Sequence, residues 1–218
     1  MSKIWNRESP MKFVKLMLTS FTTTLVLASC AANVPTRFYT LSTPVNTMQP
    51  VSKTTAISIE VLPVNVPERL KRPQLVISTQ GTQLKILEHD RWSSSFNDEL
   101  HDVFASGIAA QVGAVDVTRG GRVANQPIYR IAITLRQLDA VPGDKIQANF
   151  GWTITRLDTG SVVSKETVSS CQLTITKPVG SSIDAVVQGL QVAVAEVVTA
   201  ISANVTSLNV SNAAECGG

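Results

Sequence analysis

The segment Leu27-Ala28-Ser29-Cys30 restricts this chain more than any other feature, because it predicts the residue at which the mature chain begins and the compartment in which that chain folds. An apolar, uncharged run precedes it, and two lysines precede that run. Small residues before a cysteine in this setting are typical of a lipobox, where a signal peptidase cuts and acyl chains are attached to the cysteine. We therefore predict a lipoprotein signal peptide over residues 1–29 and lipidation of Cys30.

The alternative for this N-terminus is a transmembrane helix, since no charge lies between Lys15 and Arg37. A spanning helix needs about 20 apolar residues, and this window contains several threonines, Asn33 and Pro35, so its apolar part is too short. Two or more acyl chains anchor a protein stably, because each buried CH₂ contributes about 0.8 kcal/mol. Ala31 replaces the aspartate that retains enterobacterial lipoproteins in the inner membrane, which favours the periplasmic face of an outer membrane.

Removal of the signal peptide changes the charge of the chain. Residues 1–29 contain four basic residues and Glu8, which leaves 15 basic and 15 acidic residues in the mature chain. A net charge of zero gives no general attraction to nucleic acid or to anionic lipid. The remaining 189 residues are enough for one domain with a hydrophobic core.

Two cysteines remain besides Cys30, and an oxidising compartment allows them to form a disulfide between Cys171 and Cys216. The alternative is a small buried Cys171 in an apolar strand and an unpaired Cys216 in a flexible tail, which we predict over residues 210–218. Geometry decides between the two, and the sequence leaves both open.

Hydrophobic periodicity predicts one domain over residues 37–209, after a lipidated tether over residues 30–36. Alternation with period two indicates strands, most clearly around Ile131 and Phe150, whereas residues 92–112 and 183–208 have helical spacing. Pro142-Gly143-Asp144 predicts a turn between the two strands, and Gly113 predicts the end of the first helix. The expected fold class is α+β, with a mixed or antiparallel β-sheet and two main helices packed on one face. A coiled coil is the alternative for the last helix. The other sheet face is more polar, and solvent, a neighbouring subunit or a channel are open as its surroundings.

Residues 67–73 form the candidate partner-contact loop. Prolines at both ends stiffen it, and between them it offers four charged side chains, Glu68, Arg69, Lys71 and Arg72. Such a segment is either a docking site or a solvated turn.

The sequence predicts no catalytic residue, no cofactor and no metal site. Its two histidines, His89 and His101, have acidic neighbours, and no nucleophile motif, phosphate-binding loop or metal-ligand cluster accompanies them. We expect both to be solvated surface side chains.

Three segments carry a family resemblance. Arg37-Phe38-Tyr39-Thr40-Leu41 resembles a "YYxL" start, residues 61–76 resemble a block of valine-proline, arginine-leucine and arginine-proline-glutamine, and Arg91-Trp92 resembles the start of a first helix. Together they are similar to the ABC-type transport auxiliary lipoproteins, the family of paraquat-inducible protein C and the YmbA lipoprotein, over about residues 37–208. Residues 93–95 are serines, where the family pattern would have an acidic or proline-leucine stretch.

The resemblance implies an outer-membrane-anchored, periplasmic partner of a transport system, without catalysis. Such systems contain an MCE-domain protein with its permease and ATPase and carry lipids or other apolar molecules between two membranes. The resemblance also implies a homo-oligomeric ring or docking platform in some members. It supplies no binding residues to transfer.

Two other functions fit a lipobox before an α+β domain. An activator of a cell-wall synthase usually needs a longer tether, because an extended residue spans only about 3.3 Å and few residues precede Phe38. A periplasmic hydrolase predicts an activity that is lost on substitution of His89 or His101.

Overall fold

A computed structural model describes residues 34–42, 57–79, 82–121, 126–157, 167–211 and 216. The chain divides into two compact units, Met1–Pro35 and Thr36–Gly218, and the second contains all the regular elements described below. The predicted signal peptide and Cys30 lie outside the described residues.

The described part of the second unit contains eight strands, three α-helices and one 3₁₀ turn. In chain order they are β1 (Arg37–Tyr39), β2 (Ser58–Val61), the 3₁₀ turn (Glu68–Leu70), β3 (Gln74–Ser78), β4 (Leu84–Trp92), α1 (Phe96–Val112), β5 (Val115–Asp116), α2 (Val117–Gly120), β6 (Ile128–Val141), β7 (Lys145–Leu157), β8 (Thr167–Pro178) and α3 (Ile183–Ser211).

The strands form two sheets rather than the single sheet that the sequence predicted. The larger has the order β5-β2-β6-β7-β8, with β6, β7 and β8 antiparallel and β2 parallel to both neighbours. The smaller has the order β1-β4-β3. Beyond β2, an isolated bridge from Asn65 to Thr134 continues the parallel pairing. Pro63 and Pro67 flank this bridge, and proline cannot donate to a strand ladder, so the chain leaves the large sheet there and enters the small one.

The helices α1 and α3 pack against the large sheet, which confirms the α+β prediction. Phe104 on α1 meets Phe150 on β7 edge to face at 5.7 Å between ring centroids. The two helices approach closely at Gly107, where an added Cβ would lie 2.9 Å from a methyl of Val198. The aromatic pair and the close helix contact join both helices and the sheet in one core.

The helix boundaries follow local chemistry. Helix α1 begins at Phe96, four residues later than predicted, because Trp92 still belongs to β4. It ends at Val112, and the next residue, Gly113, has a φ of 67°, in the left-handed region that glycine favours, as the stop signal predicted. The short helix α2 was missed; Asp116 caps it by accepting a hydrogen bond from the amide of Thr118.

Helix α3 packs on the sheet, not in a coiled coil. With 29 residues and a mean hydropathy of 1.6 in its most apolar window, it is long and apolar enough to cross a membrane, but half of that window is buried inside the fold. The core of the domain therefore accounts for its apolar stripe. The helix runs to Ser211, so its last turn includes the first two residues of the predicted tail.

Candidate functional site

Strand β1, which directly follows the predicted tether, is held to the domain by charged and aromatic side chains. The Arg37 guanidinium donates to a carboxylate oxygen of Asp90 from Nε at 2.7 Å. The phenol of Tyr39 donates to Asp184 at 2.8 Å and lies 3.3 Å from the same Asp90 oxygen. Burial raises the pKa of Tyr39 and its hydrogen bond to Asp184 raises it further, so the phenol stays protonated and keeps donating.

Glu99, in the first turn of α1, fixes the residues that follow β1. Glu99 is only 5 % exposed. One carboxylate oxygen accepts from the Thr40 hydroxyl at 2.7 Å and the Leu41 amide at 2.8 Å, and the other from the Ser93 hydroxyl at 2.6 Å and from the amide and hydroxyl of Ser94 at 3.2 and 2.9 Å. Burial would raise the pKa of Glu99, but these donors outweigh it and lower the pKa.

We call Arg37, Tyr39, Asp90, Glu99 and Asp184 the N-terminal clamp. It joins the strand that follows the predicted lipid tether to β4 and to the first turns of α1 and α3. Four of the five side chains are formally charged, and all five contact another part of the fold. The clamp therefore ties β1 to three other elements of the domain. Two of the three serines that depart from the family pattern support the clamp, because Ser93 and Ser94 supply donors to Glu99.

The candidate partner-contact loop is a 3₁₀ turn closed by the buried side chain of Leu70. Glu68 and Lys71 pair with each other at 2.9 Å and remain exposed. Arg69 reaches the carbonyl of Leu138 on β6 at 3.5 Å, and Arg72 is half-buried with no hydrogen bond at its Nε. The structure therefore pairs two of the four charged side chains with each other and directs a third towards β6.

Beside Arg69 lies an open cleft of about 580 Å³ that the sequence did not reveal. It separates the end of the β3–β4 hairpin from the β6–β7 turn. Arg69 and Lys145 supply positive charge, and Asp139 and Asp144 supply negative charge. The turn was predicted from Pro142-Gly143-Asp144, but nothing local indicated which segment would face it.

The outer face of β6, β7 and β8 is polar, as expected. Arg136 extends across Gly151, where an added Cβ would lie 2.9 Å from its Nε, and it donates to the side chain of Gln172 at 3.1 Å. Asn149 donates to Thr174 at 2.7 Å in the neighbouring strand. Hydrogen bonds between strands thus join these two pairs of polar side chains.

Cys171 and Cys216 are joined by a disulfide, with 5.7 Å between their Cα atoms. It links the segment after α3 to strand β8 beside a buried polar group. There the amide oxygen of Asn204 accepts from the Trp152 indole at 3.2 Å and from the Ser169 hydroxyl at 3.2 Å. The described end of the chain at Cys216 is thus tied to the domain.

The histidines have different surroundings. His89 is exposed, whereas the Nε2 atom of His101 lies 3.1 Å from the carbonyl oxygen of Val61. His101 is half-buried, so the expectation of a solvated side chain is wrong in part for it. Within the described ranges, no group of three or more His, Cys, Asp or Glu residues could hold a metal ion.

One comparison with known proteins identifies a family, and a second finds structures with the same fold. A family model described as "ABC-type transport auxiliary lipoprotein component" matches residues 39–202. A crystal structure of an uncharacterized protein has a TM-score of 0.59 at 15 % identity, covering 79 % of this chain and 99 % of its own. A crystal structure of a protein from Xanthomonas campestris has a TM-score of 0.54 at 17 % identity, covering 78 % of this chain and 99 % of its own. At these identities the two structures show a shared fold. Among curated proteins, none matches this chain.

Proposed function

The chain belongs to the family of ABC-type transport auxiliary lipoprotein components, and from that premise we propose its specific role. It is a docking component, anchored by acyl chains on Cys30 to the periplasmic face of the outer membrane. Its partner is an MCE-domain protein with its permease and ATPase, and the system moves lipids or other apolar molecules between the membranes.

The N-terminal clamp is the observation that carries this proposal. Arg37 lies seven residues after Cys30, so the tether spans about 23 Å at most when extended at roughly 3.3 Å per residue. Because the clamp ties β1 to β4, α1 and α3, the anchor positions the whole domain and not only a loose terminal strand. Confinement near one membrane raises the effective concentration of a docking domain for a partner that arrives there.

The surface near Arg69 is the proposed contact for that partner. Glu68 and Lys71 are exposed on the turn, and the adjoining cleft presents charges of both signs. A rim with both signs suits a polar contact whose specificity depends on charge complementarity. We also propose that the chain forms a homo-oligomer, as some members of its family are expected to do.

The first experiment is a crosslinked purification of the lipidated protein from its native envelope, analysed by mass spectrometry, with Cys30→Ala as the control. Recovery of an MCE-domain protein with its permease and ATPase supports the proposal. Recovery of a penicillin-binding protein alone would instead favour activation of a cell-wall synthase, and recovery of neither would contradict docking.

A second experiment tests the contact surface. The variant Lys71→Glu is compared with Arg119→Glu, a single charge reversal on α2 at a side chain that is also exposed and ion-paired. We expect the first variant to lose most of the recovered partner and the second to retain it, with both still folded by circular dichroism. Equal recovery of the partner by the two variants would contradict a contact at this turn.

A further inference from the structure

Three large apolar side chains are exposed on the small sheet. Phe38 on β1 is 67 % exposed, and Leu84 and Ile86 on β4 are 46 % and 40 % exposed. Isolated exposed apolar residues are common, but a group of them on one face indicates a contact surface.

The strand register puts all three on the same face. Phe38 is aligned with Arg91, which in turn is aligned with Gln74 on β3. Farther along β3, Val76 is aligned with Ile86 and Ser78 with Leu84. Aligned residues share a face, and residues two apart in a strand do as well. The register between β3 and β4 shifts after Gln74, but Gln74, Val76 and Ser78 are two residues apart along β3 and therefore lie on the same side of it.

The opposite face of this sheet is the core face, so the three residues cannot turn inward. Leu75 and Ile77, which alternate with those residues of β3, are 3 % and 8 % exposed. On β1, the neighbours Arg37 and Tyr39 belong to the N-terminal clamp. The clamp thus holds Phe38 outward.

The length of the tether limits what can lie opposite this face. Cys30 is eight residues before Phe38, a distance of about 26 Å when the chain is fully extended. If the acyl chains of Cys30 are in the bilayer, Phe38 stays within that distance of the membrane surface at all times. Arg91, which is aligned with Phe38, adds a positive charge to this face, and its Nε donates to the carbonyl of Glu88 at 3.3 Å.

We propose that the outer face of β1-β4-β3 is a second membrane contact, in which Phe38, Leu84 and Ile86 enter the interface of the leaflet that holds the acyl chains. This inference rests on the lipidation of Cys30 within the proposed function, but not on the transport partner. A domain seated in this way has a defined orientation on the membrane and presents its other surfaces to the periplasm.

Tryptophan substitutions test the contact in the full lipidated protein. Phe38→Trp and Ile86→Trp are compared with Val192→Trp, whose position on α3 is 51 % exposed in the same structure. The native Trp92 and Trp152 are 7 % and 4 % exposed, so the unsubstituted protein gives the background signal. Each protein is reconstituted into phosphatidylethanolamine and phosphatidylglycerol vesicles with and without brominated lipid, after its acylated N-terminal peptide has been verified by mass.

We expect brominated lipid to quench the new fluorescence of Phe38→Trp and Ile86→Trp at least about threefold more than that of Val192→Trp, with a blue-shifted emission, because only an interfacial side chain meets the acyl chains. Equal quenching at the three positions overturns the proposal. Protection of Phe38→Trp from both brominated lipid and aqueous iodide overturns it in favour of a contact between copies. An N-terminal peptide without acyl chains overturns the lipidation and the contact together, whereas partner recovery is scored in a separate experiment.

Discussion

The phenol of Tyr39 donates a 2.8 Å hydrogen bond to the carboxylate of Asp184, which lies 145 positions later in the chain. This bond closes the domain between its first strand and the first turn of its last helix. It also places a polar contact where the predicted lipid tether enters the fold. Substitution of individual clamp residues therefore measures how much each of these contacts contributes to the stability of the domain.

Tyr39→Phe removes a hydroxyl that donates to Asp184 and lies near Asp90. We expect a loss of about 1 kcal/mol in the free energy of unfolding, the usual net contribution of one hydrogen bond. Urea denaturation followed by circular dichroism measures it. Phe38→Ala, in the same strand but outside the clamp, is the control and should change stability by less than about 0.5 kcal/mol in detergent. An equal loss in both variants would contradict a specific role for the hydroxyl.

Glu99→Gln changes both the stability and its dependence on pH. The five hydrogen bonds to Glu99 lower its pKa in the folded state, so the charged carboxylate stabilises the fold above the unfolded pKa of about 4.3. That contribution is lost as the pH falls through the lower folded pKa. At pH 7 we expect the variant to lose about 2 kcal/mol, because buried donors lose a charged acceptor.

The pH dependence supplies the control for Glu99. Denaturation of both proteins between pH 7 and pH 3 should show the difference in unfolding free energy shrinking once the pH falls below about 4.3. A constant difference down to pH 3 would show that the effect of the substitution is one of packing and not of charge.

Cys216→Ser removes the disulfide to Cys171, which closes a sequence separation of 45 residues. Chain entropy of a loop of this length corresponds to about 4 kcal/mol, and we expect a loss of about 2–4 kcal/mol. Thermal unfolding with and without dithiothreitol measures it. Reductant should lower the midpoint of the native protein towards that of the variant and leave the variant unchanged; a midpoint insensitive to reductant would contradict the prediction.

Gly107→Ala tests the close approach of α1 and α3. In the interior of a helix, alanine is more favourable than glycine by about 1 kcal/mol of folding free energy. Here its Cβ would lie 2.9 Å from a Val198 methyl, so overpacking should outweigh that gain and destabilise the protein by about 1 kcal/mol. In a Val198→Ala background the same change should stabilise, and a double-mutant cycle measures the sign reversal. The same sign in both backgrounds would exclude the steric explanation.

The sequence predicted the nature of most elements because their signals are local. Alternating residues predicted β6 and β7, and Pro142-Gly143-Asp144 predicted the turn between them, which the structure confirms with Gly143 at a φ of 78°. Helical spacing predicted α1 and α3, and Gly113 predicted the end of α1. The short helix α2 was missed, since four residues give no measurable period.

The family could also be predicted from short motifs, but the site could not. The block around Arg72 and the segment after Arg37 resemble the family that the comparison then matched over residues 39–202. The charged loop was selected by composition, yet its side chains point to different neighbours, and the cleft beside Arg69 depends on a hairpin about 70 residues away. No local sequence pattern predicts that two segments so far apart in the chain lie side by side.

What the sequence alone determined was the order of most strands and helices and the α+β class, because each depends on residues close together in the chain. The lipid anchor stays a prediction from the sequence. The tertiary structure alone decided the parallel pairing of β1 with β4, the division into two sheets and the five contacts to Glu99. It also shows that Cys171 and Cys216 form a disulfide and are not two free thiols. Parallel strands and the hydrogen bonds to a buried carboxylate join distant segments, and the free energy that selects them comes from the packing of the whole core.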